Sequence, residues 1–224
     1  MSTLDSIAYF QNRRDEVPNQ ELARDLAARK DAAGIQEIAG NLWHKNASVR
    51  SDCLKVLYEI GYIEPGLIAA NVGDFLKLLK SKENRMVWGG MIALATIADL
   101  QPQAIWEKID DVISAVEHGT LITVVWGVKT LARVAAVAPR YKEKLFPILI
   151  EQLKTCIPRD VAMHAESIVC AVDESNRGQF LSVLQARSTE LKPSQLARIK
   201  KLQTSEVFGD LRGLSNFWGG SSHA

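Results

Sequence analysis

The 224-residue chain carries 27 lysines and arginines against 26 aspartates and glutamates, so no overall field draws it to nucleic acid or to an anionic membrane. Hydrophobic residues make up 47 % and charged residues 24 %, which excludes disorder over most of the length. Three cysteines, Cys53, Cys156 and Cys170, show no Cys-x-x-Cys spacing and argue against a disulfide framework or a structural zinc site. No apolar run is long enough to span a membrane and the start resembles no leader, so the chain reads as cytoplasmic.

Leu4, Ile7, Ala8 and Phe10 stand at helical spacing over residues 3–13, and Leu22, Leu26 and Ala27 do so over 18–30. These segments, residues 1–31, are expected to be two capping helices. Pro18 suits a first helical position, where its missing N–H costs nothing.

From residue 32 the chain repeats. Leu57, Leu94, Leu131 and Ile168 stand 37 residues apart, as do Ile35, Val72, Ile109 and Phe146. Further columns are Ile38, Phe75, Val112 and Leu149, then Leu42, Leu79, Val116 and Leu153. Pro65, Pro102 and Pro139 keep the same step and open first helices. A period this long with two apolar segments indicates stacked helical pairs. The units are 32–64, 65–101, 102–138, 139–175 and a shorter 176–203, where Phe180 and Val183 take the places of Phe146 and Leu149. Asn46 or Ser48, Asn84, Thr120 and Asp160 are the expected N-caps of the second helices.

Residues 204–224 change character. Val207, Phe208, Leu211, Leu214, Phe217 and Trp218 are apolar, but Gly209 and Gly213 interrupt a helix at about 1 kcal/mol each, so a partly disordered or docking tail is expected. The final GGSSHA has linker composition.

The second helix of the first unit, NASVRSDCLKVLYEIG, resembles the HEAT repeat family, with Val49-Arg50 after an Asn turn and Val56-Leu57 beyond it. The resemblance covers about 32–175 and implies an all-α superhelix, a HEAT-like solenoid of about five helical pairs behind N-terminal capping helices. Val87, Val124 and Val161 occupy the Arg50 column, so the arginine ladder of some members is absent. Members of this family usually bind proteins or peptides on the face lined by second helices.

With Leu57 and its equivalents pointing inward, the opposite face holds the columns of Ser48, Ser51, Asp52, Lys55 and Glu59. Later units supply Arg85, Trp88, Gly89, Ile92 and Thr96, then Ile122, Val125, Trp126, Lys129 and Arg133, then Arg159, Ala162, Met163, Glu166 and Cys170. An apolar patch rimmed by charge marks a contact site. The expected partner-binding residues are Arg85, Trp88, Ile122, Val125, Trp126, Lys129, Arg159 and Met163, with Trp218 from the tail. A helical phase wrong by one position, about 100°, would instead pack Trp88 and Trp126 between units. Trp43 and Trp106 are expected partly exposed and carry no functional weight.

Catalytic motifs are wanting. His164-Ala165-Glu166 lacks the Pro-Cys-x-x-Cys element of zinc deaminases, and the four histidines never pair at i, i+4. No phosphate loop occurs, nothing assembles a nucleophile with its base, and no cofactor or metal is expected. The preferred reading is a non-enzymatic scaffold that binds a protein segment or a second copy of itself; the same density at Ile122–Trp126 would mark a surface engineered for binding. The alternative is a DNA-binding enzyme resembling the HEAT-like alkylpurine DNA glycosylases, using Trp88, Trp126, Arg85, Arg133 and Arg159, which near-neutral charge and Asp52, Glu59 and Glu166 oppose. A small-molecule carrier is a third possibility without a pointing residue.

Overall fold

The computed structural model describes residues 2–204, and the chain divides into two compact units, Met1–Thr130 and Leu131–Ala224. The described residues form α-helices and short 3-10 turns, without a strand. None of these helices is long and apolar enough to cross a membrane.

The first unit begins with a 3-10 turn, Thr3–Ser6, where a helix over 3–13 was expected. Distant side chains accept from its amides, among them those of Ala8 and Tyr9, which a helix would bond to its own carbonyls. Glu37 accepts from the Thr3 amide at 3.0 Å, Asn19 from the Ala8 amide at 2.9 Å and Asp52 from the Tyr9 amide at 2.8 Å. Asn12 then turns the chain with a positive φ of 54°. Helix α1, Val17–Arg29, starts with Pro18 in its first turn.

Helices α2 (Ala32–Gly40) and α3 (Ala47–Ile63) pack together, as do α4 (Val72–Leu78) and α5 (Asn84–Ile97). Three more follow: α6 (Pro102–Trp106), α7 (Ile109–His118) and α8 (Leu121–Val137), the last crossing the boundary between the units. Asn46 caps α3 by accepting from the Ser48 amide at 2.8 Å, and Thr120 precedes α8 with its carbonyl accepting from Val124 at 3.0 Å. Asn84 does not cap α5. It is the first helical residue, and Glu83 precedes it without a side-chain cap bond.

The repeated apolar columns form the core: Leu57, Leu94, Leu131 and Ile168 are all buried, with Ile35, Phe75, Ile109 and Val112. Burying each such side chain contributes roughly 1.5–3 kcal/mol. Close approach of α3 and α5 needs glycine on both sides. A Cβ at Gly89 would stand 2.5 Å from Leu54, and one at Gly61 would strike Thr96. Trp43 is exposed and Trp106 half-buried.

The second unit contains α9 (Pro139–Thr155), α10 (Val161–Ile168), α11 (Arg177–Arg187) and α12 (Pro193–Thr204). Helix α9 packs against α10 and α11, and α10 against α12. The buried Arg187 closes the C-terminus of α9, donating to the carbonyls of Leu153 (2.9 Å), Lys154 (2.6 Å) and Cys156 (2.7 Å). Asp160 precedes α10 as anticipated, but without a side-chain cap bond. The tail residues Val207, Phe208, Leu211, Leu214, Phe217 and Trp218 lie outside the described residues.

Candidate functional site

In α3, Lys55, Tyr58, Glu59 and Tyr62 follow one another at i, i+3, i+4 and i+7, a single stripe of a helix. In α5 the corresponding stripe begins with Arg85 and Trp88, and in α8 it contains Ile122, Val125, Trp126 and Lys129. Within the first unit these stripes meet. The Tyr58 and Trp88 ring centroids are 6.4 Å apart, Tyr58 and Tyr62 are 5.9 Å apart, and Tyr62 and Trp126 are 5.8 Å apart. The result is a continuous aromatic run, Trp88–Tyr58–Tyr62–Trp126, within the spacing at which rings attract.

The run is only partly covered. Trp88, Val125 and Trp126 are half-buried, while Tyr62 and Ile122 are 46 % and 45 % exposed. The two tryptophans therefore sit between the two readings that the sequence allowed: each packs one side on neighbours and leaves another open.

Charges frame the rings. Lys55 Nζ bonds to Glu16 at 2.8 Å and Glu59 at 2.6 Å, and Arg85 reaches Glu16 at 3.0 Å while donating to the Ser51 hydroxyl. Burial pulls the Lys55 ammonium toward losing its proton, but hydrogen bonds to Glu16 and Glu59 outweigh this and hold its pKa above the ordinary value. Burial would raise the Glu16 carboxyl, and hydrogen bonds from Lys55 and Arg85 outweigh that and hold it below. Both groups are charged at neutral pH.

Several expected surface positions are buried. Gly89 and Ile92 in the first unit and Ala162 in the second are closed off, and Lys55 is only 6 % exposed. The reason is that a second helix packs on its paired first helix and on adjacent second helices as well, which covers part of the face that a helical count leaves open. Lys55 is covered further by the N-terminal segment, through Glu16.

The second unit contributes Met163, half-buried on α10, and Arg159, exposed on the turn Pro158–Asp160 with its Nε 3.5 Å from Asp160. Nothing places these two with the aromatic run, and Trp218 lies outside the described residues. Glu166 accepts from Arg198 at 2.7 Å, and His164 is buried, so the His-x-Glu pair does not form a common site.

Sequence reasoning missed Tyr58, Tyr62 and Glu16. The tyrosines were legible as a stripe with Lys55, but their columns continue as Ala95 and Asp99 in the next unit, which hides them. Glu16 carries no local signal. Of the arginines in the nucleic-acid reading, Arg85 pairs with Glu16 and Arg159 lies 3.5 Å from Asp160, which opposes phosphate binding at those two positions.

No family model matches the chain, and no curated protein matches it. Among solved structures, a designed armadillo repeat protein in complex with the peptide (KR)4 is similar at a TM-score of 0.66 and 14 % identity, over 84 % of this chain and 86 % of that chain. An engineered protein matches at a TM-score of 0.62 and 18 % identity, over 90 % and 95 % of the two chains. Computationally designed armadillo repeat proteins for modular peptide recognition match at 0.62 and 14 %, over 87 % and 94 %. The likeness shows the fold: an armadillo/HEAT-like helical repeat, the all-α solenoid class.

Proposed function

We propose that this armadillo/HEAT-like repeat chain is a non-enzymatic scaffold that binds a protein segment, or a second copy of itself, through the aromatic face of α3, α5 and α8. The observation that supports this most is the half-open aromatic run with Tyr62 and Ile122 exposed beside it. Flat rings fixed on helices give large contact area at small entropic loss, which is why aromatic anchors dominate interfaces. Two of the similar structures carry peptide binding in their descriptions, a complex with (KR)4 and a design for peptide recognition, which favours the same use of the fold here.

The test is Trp126→Glu. Light scattering behind a sizing column over a hundredfold concentration range reads self-association, and selection from a displayed peptide library reads binding to other segments. The substitution is expected to abolish whichever association the unsubstituted chain shows while helicity is kept. A chain that associates unchanged after this substitution would sink the proposal.

A further inference from the structure

The cations around the aromatic run are engaged within the chain. Lys55 bonds to Glu16 and Glu59, Arg85 to Glu16 and the Ser51 hydroxyl, and Lys129 Nζ lies 4.6 Å from the Trp126 ring centroid. A charged partner gains little there, because each ionic contact it makes displaces one already formed. What stays open is apolar: part of Trp88, Val125 and Trp126, and more of Tyr62 and Ile122. The occupant that suits this surface is a segment of aromatic and branched apolar side chains with few charges.

The chain contains such a segment in residues 205–224. There Val207, Leu211, Leu214 and Trp218 stand at i, i+4, i+7 and i+11, the spacing of one helical stripe, with Phe208 and Phe217 next to its ends in sequence. Aromatic residues make up 7 % of the whole chain, yet three fall between Phe208 and Trp218, and no charged residue stands from Gly213 to Ser222. A segment this short cannot bury such a stripe within itself, and Gly209 and Gly213 weaken a free helix further. To leave water, the stripe needs a surface outside the segment. The second unit offers little: among its described residues the exposed large apolar side chains are Val137, at the end of α8, and Ile157, after α9.

We infer that the aromatic face receives the C-terminal segment of a second copy of this chain, with Phe217 and Trp218 as its anchors. This rests on the reading of the face as a protein-binding surface and names what it binds. Face and segment are different parts of the chain, so the association is head-to-tail: each copy gives its segment to one neighbour and receives that of another. Copies add in succession, and growth does not stop at a face-to-face pair.

The experiment compares three full-length forms by light scattering behind a sizing column. The mean mass of the unsubstituted chain is expected to rise with concentration to more than twice that of the monomer. Trp126→Glu removes the face, and Phe217→Ser combined with Trp218→Ser removes the segment, so each form alone is expected to stay monomeric. Their equimolar mixture keeps one intact face and one intact segment and is expected to form a dimer and stop there. Ile122→Glu, at an exposed position of the same face, takes the place of Trp126→Glu if that form loses helicity. A mixture that stays monomeric, or an unsubstituted chain that is monomeric at every concentration, overturns the segment of a second copy as occupant. Association that Trp126→Glu abolishes and the paired tail substitution leaves intact overturns it too, with the face still standing as a binding surface. Association indifferent to both sets of substitutions overturns both readings.

Discussion

Tyr62, in the last turn of α3, holds its ring 5.8 Å from that of Trp126 on α8, with the ring planes tilted by 37°. The contact links two repeats that are not consecutive in the chain. Ring pairs at this distance contribute about 0.5–1.5 kcal/mol beyond their buried area. A double-mutant cycle of Tyr62→Ala and Trp126→Ala, followed by urea unfolding, is expected to return a coupling in that range. A coupling near zero would show that the two rings are merely adjacent.

The glycines separate into two kinds. Gly89→Ala forces a methyl into Leu54 and is expected to lower stability by about 1–3 kcal/mol. Gly73 lies in α4 with no neighbouring atom within 4 Å of the place a methyl would take and no positive φ, so Gly73→Ala is expected to raise stability by about 0.5–1 kcal/mol. Thermal unfolding of the two variants decides, and equal effects would contradict the close approach of α3 and α5.

Lys55→Met keeps the stem but leaves Glu16 and Glu59 facing each other without their ammonium. A loss of about 2 kcal/mol is expected. The pH dependence follows from the shifts. The depressed Glu16 contributes stability that is present above its unfolded value of 4.5 and lost as pH falls through its lower folded value. The raised Lys55 contributes below its unfolded value of 10.5 and loses this only as pH rises through a still higher folded value. Denaturant midpoints between pH 3 and pH 10 should show an acid limb that shrinks in the variant.

His164 is buried in α10 and its Nδ1 has no hydrogen-bond partner. Burial pushes its pKa below 6.5, against a smaller opposing pull from Asp160. The native state therefore favours the neutral ring. Its contribution is complete above pH 6.5 and declines as pH falls from there toward the lower folded value. His164→Leu is expected to flatten the fall of the thermal midpoint below pH 6.5, and a slope unchanged by the substitution would show that other groups carry it.

Arg187 donates to three carbonyls at the end of α9 and pairs with Glu190 at 3.0 Å. Each charge-assisted bond contributes about 1.5–3 kcal/mol, though such contributions do not sum. Arg187→Ala is expected to cost about 3 kcal/mol by leaving buried carbonyls unpaired. Arg187→Lys should recover only part, since an ammonium cannot spread its donors as the guanidinium fork does. Full recovery with lysine would argue that charge alone suffices.

Much of the fold was legible because the information repeats. Leu57 predicts Leu94, Leu131 and Ile168, and all four are buried. Pro102 and Pro139 mark helix starts in the same way. The N-terminal segment has no such redundancy, and there helical spacing at Leu4, Ile7 and Ala8 lost to the side chains of Asn19 and Asp52, which took the amides of Ala8 and Tyr9.

The aromatic face, as geometry, was legible by half. Arg85, Trp88, Trp126 and Lys129 stand in columns that a helical count places on one face, and the structure brings them together with Tyr58 and Tyr62. Ile92 and Lys55 stand in the column of Lys129 and yet are buried.

The sequence by itself determined the repeat, the helical pairs and the core, because burial of an apolar column follows from a local period that each unit restates. Only the tertiary structure decided which polar columns stay open and what touches them. That depends on contacts between residues far apart in the chain: Glu16 on Lys55 and Arg85, Leu54 on Gly89, and Tyr62 on Trp126. A period of 37 residues records what recurs, whereas each of these contacts occurs once.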